Sequence, residues 1–117
     1  MRAPSELRVS RERNVLTVAF PGEEPVGLSA EMLRVLSPSA EVQGHSPEQR
    51  VLVTGKENVT ITNIEPIGNY AIRIVFSDGH STGLYTWAYL EELARKRDEL
   101  WAEYLRELEE KGLARKS

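Results

Sequence analysis

The stretch Tyr70-Ala71-Ile72-Arg73-Ile74-Val75-Phe76-Ser77-Asp78-Gly79-His80 alternates apolar and mixed positions, then ends in a tight-turn signal. Tyr70, Ile72, Ile74 and Phe76 fall on one face at period two, and Ala71, Arg73 and Val75 fall on the other, which is the signature of a strand with one buried side. Asp-Gly supports the positive φ values that a hairpin turn needs, so Ser77 to His80 should reverse the chain into a short third strand at Ser81–Leu84. Upstream, Val59 and Ile61 alternate with Thr60 and Thr62, and Glu65-Pro66-Ile67-Gly68-Asn69 breaks the pattern between the two runs.

Working outward, Leu7 and Val9, then Leu16, Val18 and Phe20, alternate on either side of Arg11-Glu12-Arg13-Asn14 and predict a second hairpin. Pro21 to Pro25 is a turn, and Val26 and Leu28 add a short strand. Ser29 is placed to cap a helix over Ala30–Leu36, with Glu31 in its first turn and Pro38 stopping it. Ser37 to Gln49 lacks periodicity and reads as a loop, and Val51-Leu52-Val53 as a brief strand. Thr86 caps a helical region in which Trp87, Leu90, Leu93 and Ala94, then Trp101, Tyr104, Leu105 and Leu108, form apolar stripes. Three acid–base pairs at i,i+4 support helix: Glu91 with Arg95, Glu92 with Lys96, and Glu107 with Lys111. This region is one helix or two with a bend near Lys96-Arg97-Asp98, Asp98 being a possible second cap, and Gly112 is the natural stop. The fold class expected is α+β: a small antiparallel sheet module of hairpins, a short helix after the first strands, and one or two C-terminal helices.

With 117 residues, 40% of them hydrophobic and 28% charged, the chain suits a single domain over 1–117 with short tails. It contains no cysteine, so no disulfide, thiolate nucleophile or cysteine-bound zinc is available from its own side chains. The N-terminal residues lack a secretory apolar core, and no run approaches the ~20 apolar residues of a membrane span. A cytoplasmic location and no membrane partner are expected. A net charge of −3 with acids and bases interspersed argues against nucleic acid as a partner.

Leu33-Arg34, Ser37-Pro38-Ser39-Ala40, Gly68-Asn69-Tyr70-Ala71, Asp78-Gly79-His80 and Tyr85-Thr86-Trp87 together resemble the gamma-butyrobetaine hydroxylase-like N-terminal domain family, a domain family of unknown function. The likeness runs from about Leu7 to Gly112. It implies a compact β-rich module with helical additions, found ahead of the catalytic jelly roll in carnitine-pathway oxygenases, standing alone, or joined to iron-sulfur carriers. In the oxygenases the resemblance implies a structural zinc held by three cysteines and a histidine. The matching positions here are Ser37, Ser39, Val42 and His80, so neither zinc nor another cofactor is expected, and no length remains for a hydroxylase domain.

Two functional classes compete on these residues. In one, the chain is a non-catalytic accessory or protein-interaction module, linked through the family's fusions to iron-sulfur carriers or oxygenases, with Arg34, His45, Asn69, Tyr70, Asp78 and His80 as its contact surface. In the other, His45, Asp78 and His80 bind a divalent metal, two imidazoles and a carboxylate being the facial set of non-haem iron sites. The plainer alternative is that Asp78-Gly79 only makes a turn and Arg34 pairs with Glu31 or Asp78. A third reading is a dimerising domain that presents Trp101, Tyr104 and Leu108 to a second copy, so the chain is a monomer or weak homodimer. No enzyme is expected: Asp78, His80 and Ser81 cannot converge as a triad, since neighbours on a strand point to opposite faces, and no phosphate-binding glycine loop is present.

Overall fold

Two antiparallel three-stranded sheets, each built from consecutive strands, share one apolar core in the computed structural model, which describes residues 2–44 and 47–116. In the first sheet β1 (Glu6–Val9), β2 (Val15–Ala19) and β3 (Val26–Ser29) lie in that order. The register pairs Leu7 with Val18, Val9 with Leu16, and Leu16 with Leu28, so the alternating apolar residues meet on one face. Ser10 holds the first turn closed by accepting from the Asn14 and Val15 amides through Oγ, and Arg13 takes a φ of 62° to complete it.

Ser29 then caps α1 (Ala30–Val35), its hydroxyl accepting from the Met32 amide at 3.0 Å. The segment expected to be a loop contains a second short helix, α2 (Ala40–Gln43), and a 3₁₀ turn at Pro47–Gln49. Ser39 starts α2 by accepting from the Glu41 amide at 3.1 Å. Four residues are too few to display a 3.6-residue period, which is why pattern alone read this stretch as irregular. Val51-Leu52-Val53 joins no sheet among the described residues. Its backbone is anchored instead by Val51 N–H to the Val42 carbonyl and by the Tyr104 hydroxyl donating to the Val53 carbonyl.

The second sheet orders β4 (Ile61–Ile67), β5 (Ala71–Phe76) and β6 (Leu84–Thr86). Here β4 runs straight through Glu65, Pro66 and Ile67, where a break was expected. Proline's missing donor is tolerated because β4 is an edge strand. The reversal falls at Gly68–Tyr70, with Gly68 at φ 54°, so Tyr70 lies outside the strand. The third strand begins three residues later than the turn chemistry suggested, because Ser81–Gly83 is used to carry the chain past Ser37. An added Cβ at Gly83 would meet Ser37 Oγ at 2.5 Å.

Thr86 caps α3 (Trp87–Arg95) by accepting from the Tyr89 amide at 3.1 Å, and α4 (Arg97–Glu110) follows after a break at Lys96. Two helices therefore form, with Lys96 at the junction and Asp98 inside the first turn of α4. Of the expected i,i+4 pairs, Glu91–Arg95 closes at 2.9 Å, whereas Glu107 turns to Arg50. The main core gathers Leu16, Leu28, Ile61, Ile74, Phe76 and Leu90 from both sheets and α3, and a smaller cluster packs Val35 of α1 against Tyr104 and Leu108 of α4. Among the described residues no helix is long and apolar enough to cross a membrane.

Candidate functional site

The two turns that flank β5 hold most of the residues singled out from sequence, at opposite ends of a six-residue strand. At the usual rise per residue these ends stand about 20 Å apart. Arg34, Asp78 and His80 meet at one end, Asn69 and Tyr70 lie at the other, and His45 is outside the described residues.

At the Asp78 end the turn is built by the side chain itself, Asp78 Oδ1 accepting from the His80 amide at 3.1 Å. The other carboxylate oxygen accepts from Arg34 Nε at 2.8 Å and from Lys56 Nζ at 2.7 Å. Burial alone pushes the Asp78 carboxyl up, but the hydrogen bonds from Lys56, the His80 amide and Arg34 outweigh it and hold it at about 2. It is a carboxylate already saturated with cations. Of the pairs open to Arg34, the structure therefore selects Asp78 and leaves Glu31 to another partner.

The His80 side chain is only 3% exposed. Its Nδ1 faces Glu41 Oε2 at 3.4 Å and its Nε2 lies 2.8 Å from Ser37 Oγ. Burial first, and the nearby Arg34 charge second, lower its pKa and favour the neutral ring. With Nδ1–H directed at Glu41, Nε2 is the acceptor for the Ser37 hydroxyl. Ser37 Oγ in turn accepts from the Ser39 amide at 3.2 Å, and the Ser39 and Thr82 hydroxyls bond at 2.6 Å. This Ser–His–carboxylate chain superficially matches a hydrolytic relay, but Ser37 is fully buried, so no substrate carbonyl reaches it. The neighbouring phenols act the same way: Tyr85 donates to the Leu33 carbonyl and Tyr89 to that of Leu36. Burial pushes both up, Tyr89 to about 12, so they remain protonated donors.

Of the four positions that the resemblance matches to zinc ligands, Ser37 and His80 are in direct contact, Ser39 reaches Ser37 through its amide, and Val42 is buried one turn on in α2. The donor set they offer is one imidazole, two hydroxyls already bonded to His80 and Thr82, and a buried alkyl group. That set does not fit a zinc ion, which takes thiolate, imidazole or carboxylate ligands. Among the described residues no group of three or more histidines and acids is assembled to hold a metal.

The other end of β5 is differently made. Trp87 donates its indole N–H to the Asn69 carbonyl at 2.7 Å and its amide to the Tyr70 carbonyl at 3.1 Å. The tip is pinned from beneath, yet Tyr70 is 53% exposed, and an added Cβ on Gly68 would already touch its ring at 3.2 Å. Leu84, on the edge strand β6, is also exposed. By contrast, Tyr104 and Leu108 are buried against Val35 and Trp101 is partly covered, so these three residues of the C-terminal stripe pack within the chain while Leu105 stays exposed. Sequence reasoning missed Lys56, Glu41 and Thr82. Each acts only through residues distant in sequence, and no local pattern marks it.

The family model described as gamma-butyrobetaine hydroxylase-like, N-terminal matches residues 7–91. The chain belongs to this family. Solved structures similar to this gamma-butyrobetaine hydroxylase-like domain include a solution NMR structure at 50% identity and TM-score 0.85, covering 98% of this chain and 90% of that one. A second NMR structure matches at 44% identity and TM-score 0.82, covering 98% of this chain and 86% of that one. A crystal structure from Acidithiobacillus ferrooxidans, described as a protein of unknown function in the DUF971 family, matches at 37% identity and TM-score 0.63 over 78% of this chain and 91% of that one. Comparison with curated proteins gave no match.

Proposed function

We propose that this gamma-butyrobetaine hydroxylase-like domain is a non-catalytic recognition module that docks on a protein partner through the Gly68-Asn69-Tyr70 tip. The observation that carries this reading is the presentation of Tyr70: a large aromatic side chain, 53% exposed, on a hairpin tip fixed by two hydrogen bonds from Trp87. Rigid aromatic side chains lose little entropy on association and dominate interface hot spots. The titratable residues favour the same conclusion from the other side, because Arg34, Lys56, Asp78, Glu41 and His80 are engaged with one another. The family's fusions make iron-sulfur carriers or oxygenases the partner class, and the domain works there without zinc. Quantitative capture from native lysate, comparing the wild type with Tyr70→Ala and with Lys111→Ala at the remote end of α4, tests the reading. Loss of an iron-sulfur carrier or oxygenase with Tyr70→Ala alone supports it. An identical partner list for all three proteins removes the tip as the docking surface.

A further inference from the structure

Glu31 is an anomaly that neither the core nor the β5 tip explains. It sits in the first turn of α1, where an acid suits the helix dipole as well in solvent as in protein, yet its side chain is only 7% exposed. A buried carboxylate is tolerated when it is paired and hydrogen-bonded. The pairing comes from the far end of the chain. Gly112, at φ 65°, ends α4 and turns the backbone, Leu113 N–H closes on the Leu108 carbonyl at 2.8 Å, and the tail then runs back across α1. Arg115 grips Glu31 with two parallel bonds, Nη2 to Oε1 at 2.7 Å and Nε to Oε2 at 3.0 Å. Its guanidinium carbon lies 5.5 Å from the centre of the Trp101 ring, and its main-chain carbonyl accepts from the Gly55 amide at 3.0 Å.

We propose that Glu31, Trp101 and the Gly55 amide form an arginine-recognition socket, filled in cis by Arg115 and able to take an arginine-bearing peptide segment of another protein in its place. Each element selects one part of such a ligand. The carboxylate matches the planar fork of a guanidinium, which an ammonium cannot reproduce. The indole favours a cation near its face. The Gly55 amide takes the main-chain carbonyl of the same residue, so a peptide bent at its arginine, as the tail is at Arg115, is read through backbone and side chain at once. Nothing in this recognition requires the arginine to belong to the same chain. Arg115 is itself 46% exposed and lies three residues beyond the turning point at Gly112, so the occupant is reached from solvent while the acceptor is not. The socket lies on α1, α4 and the Gly55 loop, apart from the Tyr70 tip, and the two proposals stand or fall separately.

Full-length Arg115→Ala protein, titrated with the acetylated, amidated peptide Leu-Ala-Arg-Lys-Ser and followed through the Gly55 amide resonance, tests the socket. Saturable binding is expected, with wild-type protein responding roughly tenfold more weakly because its own tail competes at a millimolar effective concentration. Citrulline in place of the peptide arginine removes the charge and should weaken binding by at least about tenfold. Should Arg115→Ala be unfolded alone, recovery of its near-ultraviolet circular dichroism on adding the arginine peptide, and not the citrulline one, counts equally in favour. Neither binding nor recovery at about ten millimolar peptide, far above the affinity that cis competition requires, overturns the proposal, as does equal binding of the citrulline peptide.

Discussion

The two ends of β5 spend their polar and aromatic residues in opposite ways. At the Asp78 end, two cations, a carboxylate, a buried imidazole and three hydroxyls bond mainly to one another, with Arg34 Nη1 left as a buried donor without a partner among the described residues. At the Tyr70 end, one aromatic ring is held outward by bonds made to its backbone and to that of Asn69. A cluster rich in titratable groups attracts a functional reading because perturbed groups gather at active sites, but ion-pair networks perturb pKa values too. Here the difference lies in access. The chemically richer end fastens α1, α2 and the β5–β6 connection together, and the poorer end is the one that leaves a large aromatic ring exposed.

The largest expected effect falls on the fastened end. His80→Ala empties a buried ring site and strands the Ser37 hydroxyl, which should lower stability by about 3 kcal/mol in urea unfolding. A loss below about 0.5 kcal/mol, the ordinary range for surface changes, would erase the contrast. Gly83→Ala should follow at about 2 kcal/mol by overpacking, since the new methyl would meet Ser37 Oγ at 2.5 Å in the interior of the same network.

Acid titration divides the same end into its parts. Native His80 has a lowered pKa, so the unfolded chain takes up its proton first, and stability should begin to fall as pH drops below about 6.5 toward the native value. Asp78 is shifted the same way, from 3.8 to about 2. Its contribution is complete above pH 3.8 and is lost as pH falls through about 2, amounting to roughly 2 kcal/mol. Asp78→Asn should abolish the lower step and keep the upper one. A variant that retains both would show that the cations do not hold this carboxylate down.

Much of this architecture was legible because the physics that fixed it is local. Ser29 and Thr86 sit where helix caps belong, and both accept the amide bonds their positions imply. Leu7, Val9, Leu16, Val18 and Leu28 alternate and pair as alternation requires. The misplacements arose where a long-range contact overrode a local signal. Pro66 looks like a break until β4 is known to be an edge, and the start of β6 is delayed by Gly83 passing Ser37, forty-odd residues away in sequence. The candidate site fared similarly. Asp78 and His80 were visible through their turn, and Arg34 through its family context, but Lys56 and Glu41 carry no mark of their own. Nor could alternation place Tyr70, which continues the apolar period of β5 yet stands one residue outside it.

Smaller changes probe the tip, where recognition and stability should part company. Trp87→Phe keeps an aromatic ring but removes the donor to the Asn69 carbonyl; because that carbonyl is near solvent, water replaces the bond and the expected loss is about 1 kcal/mol or less. Tyr70→Ala should do less still, within about 0.5 kcal/mol, since the ring is 53% exposed and its backbone bonds survive. Both should nevertheless weaken partner capture, Tyr70→Ala by removing the anchor and Trp87→Phe by loosening what orients it, while His80→Ala measured well below its unfolding transition should leave capture intact. If instead Tyr70→Ala destabilises the fold as much as His80→Ala does, the exposed ring is part of the structure after all, and the two ends of β5 do the same job.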